Sequence, residues 1–301
     1  MAHRLALATV AATFVLILFG GLVTNTGAAL AVPDWPTTFG YTMFFYPWSR
    51  MVGGIFYEHS HRLLGSLVGL LTIALAVALW RKGGRLRALG LVMVVAVVTQ
   101  GILGGLRVVL LKETLAIVHG CLAQAFFALA VVAVLLTSVS HRLPVQGFDG
   151  ALRRLTVAAA VLVYAQIVLG ALLTHAGWIV PHLIGAAAVF VFVPLVTARL
   201  RRTRDAIAAP VGSALVLLLG LQLLLGAGSF VSRFMSVWIP GGQATMLVLP
   251  VTHRLVASLI LAGAVVGAVR ALSAGQSYRP ASGGTPTHVM RTQPSLRLVR
   301  G

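Results

Sequence analysis

Acidic residues are scarce in this sequence. Its 301 residues contain 5 Asp and Glu against 23 Lys and Arg, which gives a formal net charge of +18. The five acids are Asp34, Glu58, Glu113, Asp149 and Asp205. Such a positive balance can indicate nucleic-acid binding. However, only 9% of the residues are charged and 59% are hydrophobic, with a mean hydropathy of +0.99, and this excludes a soluble basic domain.

Cysteine is almost absent. Cys121 is the single cysteine and lies within an apolar run, so a disulfide framework is excluded, and we interpret Cys121 as a buried apolar residue. These absences leave one broad class, a membrane protein whose chain crosses the bilayer several times. Membrane lipids are therefore expected partners, and nucleic acid is not.

Eight apolar stretches are long enough to cross a bilayer, for which a helix needs about 20 residues. They lie at roughly 5–24, 61–80, 88–106, 114–136, 155–173, 178–198, 211–231 and 246–269. Such continuous runs predict an all-α membrane protein with eight transmembrane helices rather than a β-barrel, whose strands alternate. The first stretch is longer than a signal-peptide core of about 7–15 residues, so we expect a true helix although residues 29–31 resemble a cleavage site.

Basic residues are concentrated on one side of the predicted helices. Of the Lys and Arg residues, 17 lie in the termini and in alternate connections, and 6 lie on the opposite side. The positive-inside rule therefore predicts that both termini are cytoplasmic. Residues 272–301, rich in Ser, Gly, Pro and Arg, are predicted to form a disordered cytoplasmic tail. Because no long transit segment precedes the first helix, we expect a bacterial cell membrane.

Helices 3, 5 and 7 share a pattern in which a glutamine lies four residues before a glycine. The pairs are Gln100 and Gly104, Gln166 and Gly170, and Gln222 and Gly226. The glycine permits close approach of a neighbouring helix, and the glutamine can form a hydrogen bond across the interface. Residues 61–67 and 253–259 also resemble each other, since both begin with His-Arg-Leu. These repeats indicate duplicated helix hairpins.

Four of the nine histidines lie near the starts of the even-numbered helices, at one predicted depth: His61, His119, His182 and His253. A lone histidine there is usually an interfacial residue, but four at equivalent positions indicate a site because intramembrane ionisable groups are costly. Imidazole is a strong ligand of haem iron, and haem is apolar enough for a helix bundle. Two histidines on facing helices can bind one haem, so we predict two non-covalent haem sites; covalent attachment is excluded because Cys-x-x-Cys-His is absent.

Three charged residues accompany these histidines. Arg62 and Arg254 directly follow His61 and His253, and either guanidinium could bind haem propionates or extend to lipid headgroups. Glu58 is predicted to share a helix face with His61, since residues three apart are separated by about 60° around a helix. We interpret it as a catalytic carboxylate beside an iron ligand, with a solvated acid at a helix N-terminus as the alternative. His59 is expected to face elsewhere, and the other four acids carry no predicted function.

The longest predicted outer segment, residues 25–58, is rich in aromatic residues: Trp35, Phe39, Tyr41, Phe44, Phe45, Tyr46, Trp48, Phe56 and Tyr57. One interpretation is an aromatic belt at the membrane interface. The other is a lid that shields a site at the outer side. The sequence leaves both open.

These residues together resemble the haem A synthase family. Residues 20–27, Gly-Gly-Leu-Val-Thr-Asn-Thr-Gly, and residues 33–36, Pro-Asp-Trp-Pro, are similar to the first-helix and first-loop signature of that family. Residues 58–62, Glu-His-Ser-His-Arg, resemble its Glu-x-x-His-Arg motif, and the three later histidines fall where its other haem ligands are expected. The resemblance covers about residues 5–270.

The resemblance implies two pseudo-symmetric four-helix bundles, residues 1–140 and 141–271. It further implies oxidation of the C8 methyl of haem O to a formyl group, yielding haem A for terminal oxidases. His61 and His119 would bind the substrate haem O, with Glu58 as the catalytic residue. His182 and His253 would bind a resident haem b. Haem O synthase is an implied supplier, the electron acceptor is unidentified, and homo-oligomerisation stays open.

One departure and two alternatives accompany this resemblance. Some members carry a cysteine pair in the first outer loop, and this chain has none there, so a thiol redox step in that loop is excluded. The first alternative is a dihaem cytochrome b that transfers electrons from quinol, although haem ligands clustered at one side disfavour transfer across the membrane. The second is a transporter built from repeats, which would be expected to carry polar groups near the midplane.

Overall fold

The structure is a computed structural model that describes residues 1–235 and 240–274. It contains eight helices that are long and apolar enough to cross a membrane: α1 Ala2–Asn25, α2 Gly54–Trp80, α3 Gly84–Leu110, α4 Glu113–Thr137, α5 Gly150–Ala176, α6 Ile179–Arg201, α7 Ala208–Phe234 and α8 Gly242–Ala274. The prediction of an all-helical membrane protein with eight spans is confirmed. The predicted disordered tail lies outside the described residues from residue 275 onward.

The helices extend beyond the apolar stretches that predicted them. The largest difference is at α2, which begins at Gly54, whereas its apolar stretch begins near residue 61. Residues 54–60 include polar and aromatic side chains, so hydropathy alone missed this part of the helix. They are helical here because the segment between α1 and α2 packs on them. We call residues 26–53 the first loop, and the side of the bundle where it lies the loop end.

Local signals set the ends of several helices. Asp149 precedes α5, and its carboxylate accepts a hydrogen bond from the backbone N–H of Leu152 at 2.6 Å, which satisfies a free donor of the first turn. The same helix ends at Gly177, whose φ of 73° is in the left-handed region that favours glycine. Asp149 thus has a structural function that the sequence analysis did not predict.

Short connections make sequential helices antiparallel neighbours. In the first half, α1 and α3 each contact both α2 and α4. In the second half, α5 and α7 each contact both α6 and α8. The two halves meet where α4 packs on α5 and α8 and where α1 packs on α8. The even-numbered helices of each half therefore lie diagonally opposite each other, and their inner faces meet at the centre of each group of four.

Each half has its own apolar core. Leu75, Leu79 and Met93 are fully buried in the first half, and Val193 and Leu261 are buried in the second. A smaller cluster joins the halves: Ile17, Phe127 and Val131, packed by Leu255 and Val266. Many apolar side chains on the outer faces stay exposed, as expected for helices that contact lipid.

A buried ion pair closes the side opposite the loop end. The Arg270 side chain of α8 has no exposed surface, and its Nε donates to both carboxylate oxygens of Asp205 at 3.1 Å. Its Nη atoms donate to the carbonyls of His141, Leu143 and Pro144, in the connection between α4 and α5. Arg270 therefore joins α8 to the connection between α4 and α5 and to the connection between α6 and α7. In the sequence it counts only as one of the basic residues from which the positive-inside rule predicts topology.

Asp205 is held in its charged form by this arrangement. Burial alone would raise the pKa of its carboxyl, but the hydrogen bonds from Arg270 and from the backbone N–H groups of Ala208, Ile207 and Gln146 lower the pKa overall. A charge buried with all its partners in place contributes to a defined geometry at this side of the bundle.

Candidate haem-binding site

The four predicted histidine ligands make the same contact with the preceding helix. A Cβ atom placed on Gly20 of α1 would lie 3.2 Å from Cε1 of His61. The corresponding distances are 3.3 Å for Gly104 and His119, 3.4 Å for Gly170 and His182, and 3.0 Å for Gly226 and His253. These distances leave little room for a side chain, so each glycine allows an imidazole to lie against the backbone of its neighbour.

The glycine of α1 was not recognised in the sequence. The pattern was defined by a glutamine four residues before the glycine, and in α1 that position is Leu16. Each of the four histidines has a glycine beside it on the preceding helix. A pattern defined by that glycine alone would have included Gly20 as the partner of His61.

His61 and His119 face each other within the first half. Their ring centroids are 6.4 Å apart and their planes are inclined by 70°. Metal–nitrogen bonds to imidazole are about 2 Å long, so one metal atom between two imidazoles separates their centroids by about 6 Å. With the observed spacing, His61 and His119 could both hold the iron of one haem. Nδ1 of each ring is also buried without a hydrogen-bond partner in the described part of the chain.

His182 and His253 form the corresponding pair in the second half. They lie on α6 and α8, the diagonal helices of that half, and are close enough to interact electrostatically. Among residues 1–235 and 240–274, no three His, Cys, Asp or Glu side chains come together as a metal site. Pairs of histidines suit haem in particular, because the macrocycle supplies the other ligands of the iron. The residues present thus fit haem at both sites.

The three predicted glutamines contact the histidines across the helix interface. Gln100 donates from Nε2 to the carbonyl of His119 at 3.1 Å. Gln166 Nε2 lies 3.2 Å from Nδ1 of His182 and donates to the carbonyl of the same residue at 3.0 Å. Gln222 Nε2 lies 3.2 Å from Nε2 of His253. The prediction that these glutamines form hydrogen bonds between helices is confirmed.

Glu58 is buried and fully engaged rather than solvated. Its side chain is 8% exposed; Oε1 accepts from Nη2 of Arg62 at 2.9 Å, and Oε2 accepts from the backbone N–H of Val32 at 2.9 Å. The alternative interpretation of a solvated acid is therefore wrong. The partner from the first loop was not predictable from helix periodicity, since Val32 is 26 residues away.

Arg62 attaches the first loop to α2. Besides its bond to Glu58, it donates from Nη2 to the carbonyl of Val32 and from Nη1 to the carbonyls of Asp34 and Thr37, at 2.7–3.0 Å. Its four terminal N–H donors are thereby used, and only the Nε–H remains for another acceptor. If Arg62 binds a haem propionate, as predicted, it must donate the hydrogen bond from its Nε–H.

The first loop is folded over α2 and α3. The Thr38 hydroxyl hydrogen-bonds Nδ1 of His59 at 3.1 Å, and the Tyr46 ring lies 5.2 Å from the same imidazole. The indole of Trp35 occupies the space beside Gly105 of α3, where a Cβ would overlap the ring. Gly105 directly follows Gly104, the glycine against which His119 packs, so the loop reaches the edge of the first histidine pair.

His59 and His61 have separate surroundings, as the helix geometry predicted. His59 contacts Thr38 and Tyr46 of the first loop, whereas His61 contacts Gly20 and His119 inside the first half. The outer part of the loop remains exposed, with Phe45 80% and Trp48 77% accessible. The loop thus combines an inner surface fixed to the bundle with an exposed aromatic surface, and the belt and the lid both stay predictions.

Asp34 organises the turn of this loop. Its carboxylate accepts hydrogen bonds from the backbone N–H groups of Phe39 and Gly40 and from the Thr37 hydroxyl. Burial alone would raise its pKa, but these donors favour the charged form and lower the pKa from 3.8 to about 2. Asp34, which carried no predicted function, therefore shapes the segment whose carbonyls receive the Arg62 guanidinium.

Arg254 differs from Arg62 in its surroundings. Its side chain has no hydrogen bond or ion pair within the described residues, and its Nη1 lies 3.8 Å from where a Cβ on Gly21 of α1 would stand. Its donors are thus available to an anionic ligand. At the same end of the bundle, Glu113 of α4 and Nδ1 of His175 of α5 lie 2.9 Å apart, which joins the two halves near the surface.

Residues 48–181 match the COX15-CtaA family, described as cytochrome oxidase assembly protein. The chain is similar to this family over that region, a little under half of its length. The matched region contains Glu58, His61 and His119 and ends directly before His182. The resemblance inferred from the motifs is confirmed.

Several curated proteins are similar to this chain, each named "Heme A synthase". The protein of Alkalihalophilus pseudofirmus is 32% identical over 127 residues, which cover 40% of this chain and 41% of the relative. That of Shouchella clausii is 34% identical over 110 residues, or 35% of each. That of Staphylococcus aureus strain JH9 is 27% identical over 190 residues, 58% of this chain and 61% of the relative. The chain thus spans less than two thirds of the length of each of these relatives.

Proposed function

We propose that this protein is a haem A synthase that oxidises the C8 methyl group of haem O to a formyl group. The observation that carries the proposal is the fourfold contact between a glycine and a histidine, two in each half of a chain whose residues 48–181 match the COX15-CtaA family. A protein that only transferred electrons would need the two pairs. It would not need a buried carboxylate one helical turn from a histidine of one pair.

The two halves are proposed to be pseudo-symmetric bundles, residues 1–140 and 141–271. Equivalent helix neighbours support this division, since α1 to α4 and α5 to α8 contact one another in the same order. The glycine and histidine contacts recur at corresponding positions in both halves. Duplication of a helix-hairpin unit accounts for both regularities.

The first half is proposed to hold the substrate. His61 and His119 would bind the iron of haem O from opposite sides, and their ring spacing of 6.4 Å supports this assignment. Glu58 lies one helical turn before His61 and is proposed as the catalytic acid–base group. Two of its carboxylate lone pairs accept hydrogen bonds from Arg62 and Val32, which leaves others able to take a proton from the reacting group.

The second half is proposed to hold a resident haem b bound by His182 and His253. When bound, haem b supplies one-electron chemistry, which the oxidation of a methyl group requires because electrons must leave the substrate. The chain contributes the two imidazoles, their glutamine contacts and a low-dielectric surrounding. None of the five acids contacts these histidines within the described residues, so this half lacks a counterpart of Glu58.

Propionate binding is proposed for Arg254 and, through its Nε–H, for Arg62. Arg254 supports this most directly because its guanidinium has no partner in the described part of the chain and lies beside α1. Arginine binds carboxylates in a bidentate manner, which suits a propionate at the edge of a bundle. Arg62 would bind a propionate while it also holds the first loop.

The first loop is proposed to act as a lid over the substrate half. Its attachment to Glu58, His59 and Arg62 and the contact of Trp35 with Gly105 support a role in excluding water. By the positive-inside rule, this lid would lie on the outer side of the membrane, with both termini on the cytoplasmic side. Haem O synthase is the proposed source of the substrate.

Haem content of histidine variants tests these assignments. The purified full chain is expected to contain non-covalent haem with the absorption spectrum of low-spin, bis-histidine iron. His182→Ala and His253→Ala should remove haem b, whereas His61→Ala and His119→Ala should retain haem b and lose bound haem O. A colourless wild-type preparation from haem-replete cells, or loss of haem b from the first-half variants alone, would contradict the proposal.

A further inference from the structure

A second arginine lies beside the first histidine pair, and the sequence analysis assigned it no function at the site. Arg107 lies near the end of α3 and is close enough to interact electrostatically with both His61 and His119. Its side chain has no hydrogen bond or ion pair within the described residues. Arg62, by contrast, has only its Nε–H left, because the first loop and Glu58 occupy its terminal donors. The Arg107 guanidinium therefore has all its donors open to a ligand.

Helix geometry places Arg107 on the face of α3 that contacts His119. It lies one turn beyond Gly104, which packs against the His119 ring, and two turns beyond Gln100, which donates to the His119 carbonyl. Residues seven apart are separated by only about 20° around a helix. Arg107 is accordingly partly buried, whereas its neighbour Val109 is exposed. Its side chain thus starts on the inner face of the first half, between His119 and the loop end.

The second half also carries arginines at the loop end. Arg254 directly follows a predicted haem ligand, as Arg62 does in the first half, and Arg233 lies two turns beyond Gly226 on α7. Arg233 and Arg254 are close enough to interact electrostatically. Positive charge on α3 and α7 thus recurs at the polar end of each half, where the anionic edge of a haem can lie with least desolvation.

Two axial histidines leave one property of a bound haem undetermined. They fix the iron and the plane of the macrocycle, but the macrocycle can still turn about the line that joins the two ligating nitrogens. Haem O carries several ring methyl groups, and selective oxidation requires that the C8 methyl is the one presented to the catalytic group. The C8 methyl and a propionate are substituents of the same pyrrole ring. A residue that fixes this propionate therefore also fixes the position of the methyl group.

We propose that Arg107 binds a propionate of haem O and thereby sets the rotation of the macrocycle between His61 and His119. This inference rests on the proposed function and adds a substrate-binding residue to the first half. A guanidinium binds a carboxylate through two parallel N–H bonds, so it restricts direction as well as distance. Partial burial strengthens the contact, because a partly buried charge pair is screened less than an exposed one.

A lipid headgroup is the alternative ligand of Arg107, since an arginine near a helix end can extend to the membrane surface. Both ligands are anions, but they have different consequences. A lipid phosphate would leave the affinity for haem O unchanged in lipid-free detergent. A propionate makes that affinity depend on the ionised carboxylates of the haem, and this dependence is lost when the guanidinium is removed.

The test compares haem O with its dimethyl ester, in which the propionates are uncharged. Wild type, Arg107→Met and Arg107→Lys are purified as full chains with haem b bound and are loaded with either compound in lipid-free detergent. Release to excess apomyoglobin is followed by chromatography, which separates haem O from haem b. Lys112→Met is the matched control, because Lys112 is an exposed cation at the same end of the bundle whose side chain has no hydrogen bond or ion pair in the part of the chain that the structure describes.

Wild type is expected to release the dimethyl ester about 10- to 100-fold faster than haem O, the range of a hydrogen bond to a charged group. Arg107→Met should release haem O nearly as fast as the ester and should form less haem A, while its retained haem b shows that it is folded. Arg107→Lys should keep part of the preference, because it keeps the charge without the planar fork. Lys112→Met should behave as wild type does.

Two results would overturn the inference and leave the proposed function intact. One is a wild-type preference for haem O over its ester in Arg107→Met. The other is an equal acceleration of the release of both compounds, because a packing defect does not distinguish an acid from its ester. A wild-type chain that holds no haem O would overturn the proposed function and this inference together.

Discussion

Nη2 of Arg62 lies 2.9 Å from Oε1 of Glu58, one helical turn away on α2, and both side chains bind the first loop. The proposed catalytic carboxylate is therefore part of the contact that positions the loop over the first histidine pair. Catalysis and loop closure are coupled through these two residues, so a variant of either must be tested for both.

Glu58→Gln separates the two functions. The amide oxygen can still accept from the Val32 N–H or from Arg62, so the loop should stay attached, but the carboxylate is lost. We expect haem A formation to fall about 10²- to 10⁴-fold, the usual contribution of an acid–base group, while haem b remains bound. Extracted haems are separated by chromatography to measure this. Glu113→Gln, an exposed acid at the same end of the bundle, is the control and should retain haem A formation. Wild-type haem A formation by Glu58→Gln would remove Glu58 from the mechanism.

Gly226→Ala tests the contact that positions His253. The added Cβ would lie 3.0 Å from Cε1, so the ring must shift from its place against α7. We expect haem b content to fall about tenfold, as for other changes that misplace a metal ligand. Gly220→Ala is the matched control in the same helix, because nothing lies within 4 Å of its Cβ. The Gly220→Ala variant should keep its haem b. Its free energy of unfolding should rise by about 0.5–1 kcal/mol, because alanine is more favourable than glycine within a helix. Equal haem b content in the two variants would show that the close contact between Gly226 and His253 is not needed for haem b binding.

The buried pair of Arg270 and Asp205 should be the most sensitive charged contact outside the site. Arg270→Met leaves the Asp205 charge without its partner and should lower the free energy of unfolding by about 3–5 kcal/mol. Thermal unfolding in detergent measures the loss. Arg202→Met, at an exposed arginine on the same side, should change it little. The double variant Arg270→Met with Asp205→Asn should recover much of the stability, because no unpaired charge remains and the amide oxygen can still accept from the backbone N–H groups of Ala208 and Ile207. An equal loss in the double variant would indicate that the carbonyl contacts of Arg270, not the ion pair, hold this side together.

The stability that Asp34 gives to the first loop is expected to depend on pH. Its pKa in the folded chain is about 2, below the ordinary value of 3.8, so the folded state favours the charged carboxylate. The stability that Asp34 contributes is therefore fully present above the ordinary pKa and is lost as the pH falls through about 2. We expect the unfolding temperatures of wild type and Asp34→Asn to differ most above pH 4 and to converge toward pH 2. A difference that is constant across this range would assign the effect to the shape of the side chain rather than to its charge.

The sequence predicted the helices and the equivalent placement of the four histidines because both follow periodic rules. Apolar run length determined eight spans, and the helix period separated His59 from His61 correctly. The glutamine pattern predicted real contacts in three helices and missed α1, where Leu16 breaks the pattern. These features are local or repeat at fixed intervals, which is why composition and spacing suffice for them.

The remaining features depend on contacts between distant parts of the chain. Val32 donates to Glu58 across 26 residues, and Arg270 meets Asp205 across 65. Separations of this size follow no helix periodicity, so the sequence does not predict which residues are the hydrogen-bond partners of Glu58 and Asp205. The two interpretations of the first loop were equally consistent with its composition for the same reason, since its inner contacts are set by the backbone positions of α2 and α3.

The most direct test of the central claim is chromatography of haems extracted from the membranes of cells that make this full chain together with a haem O synthase. The account predicts haem A in cells with the wild-type chain and haem O alone in cells with Glu58→Gln. Unchanged haem O beside the wild-type chain, with haem b bound in the purified protein, would contradict a synthase and assign the protein as a dihaem cytochrome.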